Sequence, residues 1–317
     1  MTLYPLLMSP AFQHGSDTPW GGTMLRDIFM KDAPNGPTGA SLEVSVQPGL
    51  ESLVGNGHHA GKTLSAMAAL WGEALTGQNV TAFPLLIKFL DTQQPLSVQV
   101  CPENCAAWVI LNAEPGAKIA YGLAEGCETL QAGREEACLN WVSVRPGDVF
   151  YIPAGMVHAL GAGIQCYELR DADECSCRLW DWNRGRALHT EKALEALRPE
   201  LRLNSNEGTT ALCRGGSRTY YVSDSHIELC RLNLSGHMPL ESGRMLLLTA
   251  LSPCRLQWPE GEIEIAPFAT VLIPAALEGA ALTGHGKLLM GSLPDQNALR
   301  LALADRAENV SGIGMPM

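Results

Sequence analysis

The residues best suited to chemistry gather around one turn. The run Gly147-Asp148-Val149-Phe150-Tyr151-Ile152-Pro153-Ala154-Gly155-Met156-Val157-His158 reads as a strand, a tight Pro/Gly turn and a returning strand that opens on an imidazole. An imidazole carried into a cavity in this way can ligate a metal. The competing reading of a lone buried histidine is a ring satisfied by a backbone carbonyl, and here the turn favours the ligand. His58-His59 follow Gly55-Asn56-Gly57, the composition of an exposed loop, and read as surface residues. Two cysteine pairs, Cys101/Cys105 and Cys175/Cys177, are spaced closely enough to raise a metal question. Thiolate is a good zinc ligand, while burial as a small apolar side chain is the competing reading for each. Glu168 ends the strand-like run Gln165-Cys166-Tyr167-Glu168 and would add a carboxylate to the wall of such a cavity.

Positioning these groups requires strands. Phe83 to Val100 reads as two strands separated near Gln93-Gln94-Pro95. A strand pair is expected from Trp108-Val109-Ile110-Leu111 and Lys118-Ile119-Ala120-Tyr121, joined by the turn Glu114-Pro115-Gly116, and residues 124–141 carry helix-compatible spacing. Trp141-Val142-Ser143-Val144 and Val149-Phe150-Tyr151-Ile152 flank a further turn at Arg145-Pro146-Gly147-Asp148. Short helices are expected over 22–29, after Gly61-Lys62-Thr63-Leu64, and over 191–197, where Pro199 ends the last. Beyond about residue 215 the pattern is again β-like, and Ile152-Pro153-Ala154 recurs as Ile273-Pro274-Ala275 at the end of an apolar strand. Gly279 then takes the place that His158 holds in the first half, so the second half is expected to be structural.

Bulk properties narrow the class of partner. A net charge of -11 with no Lys/Arg run argues against nucleic acid. The start Met1-Thr2-Leu3-Tyr4-Pro5 lacks a basic leader, and no apolar run reaches about 18 residues, which predicts a cytoplasmic chain outside the membrane. The ten cysteines are then expected to be reduced thiols.

The Gly, Pro, Gly and His of the 147–158 turn fall at the intervals of the second cupin motif. The chain more specifically resembles a type I mannose-6-phosphate isomerase of the short bacterial form. The matching residues are Trp20-Gly21-Gly22 with Leu25-Arg26, Gly61-Lys62-Thr63-Leu64, Phe83-Pro84-Leu85-Leu86-Ile87-Lys88, Leu96-Ser97-Val98-Gln99-Val100, the cupin turn, and Arg178-Leu179-Trp180-Asp181-Trp182-Asn183-Arg184 followed by Leu188-His189. The resemblance implies a mainly β fold of two cupin (double-stranded β-helix, jelly-roll) barrels with a few short helices. The expected division is 1–200 for the catalytic-type barrel with its irregular N-terminal flank, and 201–317 for a second, degenerate one.

It also implies a zinc-dependent interconversion of mannose 6-phosphate and fructose 6-phosphate through an enediolate, with the sugar phosphate as partner. The family holds its metal with a Gln and a His on one strand, a Glu on the next, and the His of the cupin turn. Carried over, Gln99 and His158 match, Cys101 stands where the first His would be, and Ala106 stands at the carboxylate position. Gln99, Cys101 and His158 are therefore the expected zinc ligands. Arg178 and Lys88 match a family Arg and Lys expected to act on the reacting centre, and Glu168 is expected in the substrate pocket. The alternative is a metal-deficient, catalytically silent barrel that binds or senses a sugar phosphate.

Overall fold

The computed structural model describes residues 2–173, 176–202 and 204–295. Strands dominate, and the α-helices among the described residues are short: Met24–Asp27, Leu64–Trp71, Glu73–Thr76 and Thr190–Ala196. The chain groups into two units, one made of Met8–Ala69 with Ala82–Glu207, the other of residues 2–7, 70–81 and 208–295. Among the described residues no helix is long and apolar enough to cross a membrane.

In the first unit two antiparallel sheets share one core. The larger runs, in spatial order, Val149–Ile152, Ala106–Ala113, Ile164–Asp171, Leu85–Thr92, Thr38–Val44 and Ala11–His14. The smaller runs Cys177–Trp180, Val98–Val100, His158–Leu160, Lys118–Leu123 and Leu139–Ser143. Side chains alternate between faces along a strand, and the sequence uses that alternation. Leu86, Leu90, Trp108, Ile110, Ile119, Tyr121, Leu160, Ile164 and Cys166 enter the shared core. Val98, Val100, Ala120, Ala159, Cys177 and Leu179 face the other way, into a separate cluster that Ala193 of the last helix completes.

The same parity explains the site. On the face of Ile164–Asp171 that carries Ile164 and Cys166, the next two residues are Glu168 and Arg170. Leu86 and Leu90 likewise flank Lys88. The interior is apolar at one end and charged at the other.

Two expectations from sequence differ from the structure. Ala106–Ala113 and Lys118–Leu123 are not a hairpin: the former pairs with Val149–Ile152 and Ile164–Asp171, the latter with His158–Leu160 and Leu139–Ser143. The Glu114-Pro115-Gly116 turn carries the chain from one sheet to the other. Residues 124–141 hold no α-helix. Gly126 and Gly133 take positive φ of 78° and 74°, which breaks helical geometry, and only Glu136–Cys138 coils, as a 3-10 turn. Cys175 lies outside the described residues, as does Glu174.

The turn before His158 depends on Gly155, whose φ is +83° and whose N–H donates to the Cys101 carbonyl at 2.8 Å. A Cβ there would stand 2.7 Å from Arg198 Cγ and 2.8 Å from the Ala196 carbonyl oxygen. Gly155→Ala is therefore expected to lower the unfolding free energy by about 2 kcal/mol or more, read as a fall in urea midpoint at unchanged slope.

The second unit is one larger antiparallel sheet ordered Thr209–Cys213, Gly216–Ser223, Glu228–Pro239, Ala281–Ser292, Leu246–Ala250 and Thr270–Ile273, with a Cys254–Trp258/Gly261–Ile265 hairpin against Ala281–Ser292. Its core is aliphatic, built on Leu232, Leu246, Leu248, Leu256, Val271, Leu282 and Leu288. The repeated Ile-Pro-Ala makes the same local bond in both units: Met156 N–H donates to the Pro153 carbonyl at 3.2 Å, and Leu277 N–H to the Pro274 carbonyl at 3.0 Å. Here no imidazole follows, and His226, His237 and His285 are all exposed.

Candidate active site

The charged end of the first unit encloses a cavity of about 410 Å³ whose walls include Gln13, Lys88, Gln99, Glu168, Arg170, Ser176, Arg178 and Arg186. Four cations and a buried carboxylate meet there in a chain whose net charge is -11. Such a concentration of positive charge suits a small anion.

Two rows of cross-strand neighbours supply Gln99, Arg178, Glu168 and Lys88 to this wall, whereas His158, Cys101 and Trp108 are buried beside them and do not line the cavity. In the smaller sheet Gln99 is paired with His158 on one side and Arg178 on the other. In the larger sheet Glu168 is paired with Lys88 on one side and Trp108 on the other. Trp108 links the rows: its indole N–H donates to Glu168 Oε1 at 2.9 Å, and its ring meets the His158 ring edge-on with centroids 5.4 Å apart. Glu168 is thus buried but oriented, with its second oxygen left for other contacts.

His158 is 2% exposed, and its Nδ1 lies 2.8 Å from the Met156 carbonyl oxygen, so Nδ1–H donates there and Nε2 is left as the acceptor. Gln99 Nε2 approaches that Nε2 at 3.3 Å. Cys101 leads out of the same strand, buried, with Sγ 3.4 Å from Ser176 Oγ. Burial raises the Cys101 thiol, but His158 and the Arg170 guanidinium more than offset it and bring it down to about 7. Cys105 points elsewhere, toward Asp171.

Arg170 was not anticipated from sequence. It is 1% exposed, donates from Nη2 to Cys101 Sγ at 3.5 Å and from Nη1 to Ser176 Oγ at 3.2 Å, and sits directly across from Ala106. Equally unforeseen is the cluster under the cavity rim. Asp181 accepts from Ser97 Oγ at 2.8 Å, Arg184 Nη2 at 2.9 Å, and Arg186 Nη2 and Nε at 2.6 and 2.8 Å. Arg178 is not hydrogen-bonded to Asp181 and donates instead to the Ala187 carbonyl at 2.6 Å, so that it couples to the cluster through charge alone. The Trp20-Gly21-Gly22 motif also finds its reason here: Trp20 lines the cavity, and a Cβ on Gly21 would lie 2.6 Å from the Gly39 amide nitrogen. His58 and His59 stand in a 3-10 turn, Gly57–His59, away from this wall.

A sequence profile for the phosphomannose isomerase type I catalytic domain matches residues 9–119. The mannose-6-phosphate isomerase ManA of Bacillus subtilis is 30% identical across 92% of this chain and 100% of its own length. The chain belongs to the type I mannose-6-phosphate isomerase family. A mannose-6-phosphate isomerase of Streptococcus mutans is 31% identical over 73% of this chain and 80% of its own length. Among solved structures, a mannose 6-phosphate isomerase from Bacillus subtilis superposes with a TM-score of 0.83 at 24% identity, covering 90% of this chain and 99% of that one. A phosphomannose isomerase from Salmonella typhimurium superposes at 0.76 with 12% identity, over 92% and 100%. The fold is therefore the family's cupin fold almost throughout, mainly β as expected.

Members of this family are generally metal-dependent. The donors present in this chain do not fit a divalent cation. No group of three or more His, Cys, Asp and Glu side chains converges among the described residues. His158 Nε2, the Cys101 thiol and the weak Gln99 amide oxygen are the donors on offer, and the methyl of Ala106 adds none. A structural zinc with a full set of four good ligands gains roughly 10–16 kcal/mol. This set would gain much less, and a divalent ion within about 5 Å of a fixed guanidinium loses on the order of 6 kcal/mol at an effective dielectric near 20. Repulsion by Arg170 therefore adds to the deficit of an already partial ligand set.

Proposed function

We propose that this chain interconverts mannose 6-phosphate and fructose 6-phosphate within the cationic cavity of the first unit. Family membership over nearly the whole chain supports the reaction class, and the observation that carries the substrate class is the cavity, with Lys88, Arg170, Arg178 and Arg186 around a space sized for one hexose phosphate.

The reaction moves a proton between C2 and C1 of the open-chain sugar. In the aldose-to-ketose direction a base removes the C2 proton, the electron pair left behind forms the C1–C2 double bond, and the carbonyl electrons move onto O1. The proton is then returned to C1, the O2–H proton passes to O1, and C2 becomes the carbonyl, so that atoms and charge balance with the base restored. Glu168 is the group assigned to carry the carbon-bound proton: it is buried, and the Trp108 indole fixes one of its oxygens. Lys88, paired across the sheet from Glu168, and Arg178, paired across from Gln99, supply positive charge to the enediolate oxygens. Arg186, anchored by Asp181 at the rim, faces the phosphate.

The replaced ligand positions favour a second reading, in which the cavity binds the sugar phosphate without turning it over. Incubation of the purified chain with mannose 6-phosphate in D2O, followed by NMR, separates the two. Formation of fructose 6-phosphate with solvent deuterium at the transferred position is expected. Saturable binding with neither product nor deuterium exchange would sink the enzyme reading and leave the binding one.

A further inference from the structure

We propose that the Arg170 guanidinium is a built-in replacement for the family's metal ion, so that this site carries its own cation and takes up no divalent metal. The inference rests on reading the cavity as a hexose-phosphate site and goes beyond it by naming what faces the sugar oxygens. Arg170 lies on the inward face of its strand, one step beyond Glu168, and it lines the same cavity as Gln99. Its guanidinium is held against Cys101 Sγ and Ser176 Oγ, directly beside one of the three expected ligands.

Room for it exists because the residue directly opposite, on the same face of the sheet, is Ala106. A longer side chain at 106 would contest that volume. The substitution that removes a ligand carboxylate thus also admits the arginine. A guanidinium keeps its charge at every working pH and presents parallel N–H groups in a plane, which suits two vicinal oxygens such as O1 and O2 of an open-chain sugar. It offers a single positive charge and no open coordination position, so any turnover will not respond to chelators.

The test is metal content together with ligand binding. The full chain, incubated with zinc and desalted, is expected to retain less than about 0.1 zinc per chain by plasma mass spectrometry. Calorimetric binding of mannose 6-phosphate is expected to be the same with and without EDTA. Arg170→Met is expected to weaken that binding by about tenfold or more. Arg170→Met combined with Ala106→Glu removes the repelling charge and adds a carboxylate, and should take up one cobalt with a thiolate charge-transfer band that Cys101→Ser abolishes.

One zinc per chain retained by the unaltered protein overturns the inference, whether or not the variants fold. EDTA-sensitive sugar-phosphate binding overturns it too. A metal-free chain that binds mannose 6-phosphate without converting it upholds the inference and defeats the isomerase reading. A zinc-loaded chain that converts it does the reverse.

Discussion

Glu168→Gln is expected to lower kcat for mannose 6-phosphate by about 10³-fold while changing KM less than about threefold. The substitution is close to isosteric and keeps an oxygen to accept from the Trp108 indole, whose bond to Glu168 Oε1 spans 2.9 Å. Packing around the buried side chain is preserved, so the urea midpoint should move little. What the amide cannot do is accept and return a carbon-bound proton. The discriminating readouts are the kcat-against-KM split and the exchange of substrate hydrogen with D2O, both of which a merely structural carboxylate would leave alone. A variant that retains more than about a tenth of the kcat would remove Glu168 from the proton-transfer role.

Much of this site could be read from the chain, and the part that could not has a physical reason. The 147–158 turn suggested an inward-turned imidazole because Pro153 and Gly155 fix a reversal whose geometry few other residues allow. His158 is buried and meets Gln99 at 3.3 Å, but it lies behind the cavity wall rather than in it. Lys88, Glu168 and Arg178 all reach the same cavity. Arg170 escaped notice because the strand-like run was ended at Glu168, whereas the strand continues to Asp171. Only the parity of 164, 166, 168 and 170 on one face shows that it turns inward, and that parity is informative once the core side of the strand is known.

The misjudged pairing of 108–111 with 118–121 has a related origin. A turn signal reports that the chain reverses but not whether the next strand returns to the same sheet. In two stacked sheets a short loop can cross between them, and the hydrophobic alternation on either side is unchanged. The helix expected over 124–141 rested on spacing alone, and two glycines with positive φ were enough to overrule it.

The network beneath the rim was invisible for a third reason: Asp181, Arg184 and Arg186 are polar residues in a polar stretch, and only the fold shows that their charges converge. Asp181 is 3% exposed and holds Arg184, Arg186 and Ser97 together. Asp181→Ala is expected to cost about 3–5 kcal/mol of stability, because it leaves two guanidinium groups close together without their shared acceptor. Burial alone would raise the Asp181 carboxyl, but Arg186, Ser97 and Arg184 overcome it and bring it down to about 2.

A carboxylate held below its unfolded value of about 3.9 stabilises the fold at any pH above that value, and the contribution fades as pH falls toward the folded value. The urea midpoint of the native chain should therefore drop between about pH 4 and pH 2 more steeply than that of Asp181→Asn, which has no charge to lose. Because Ser97 and Arg186 also line the cavity, the asparagine variant should raise KM for the sugar phosphate at neutral pH with kcat nearly intact, as befits a positioning residue. Equal pH slopes for the two proteins, or an unchanged KM, would show that the cluster neither depends on this charge nor sets the phosphate end of the site.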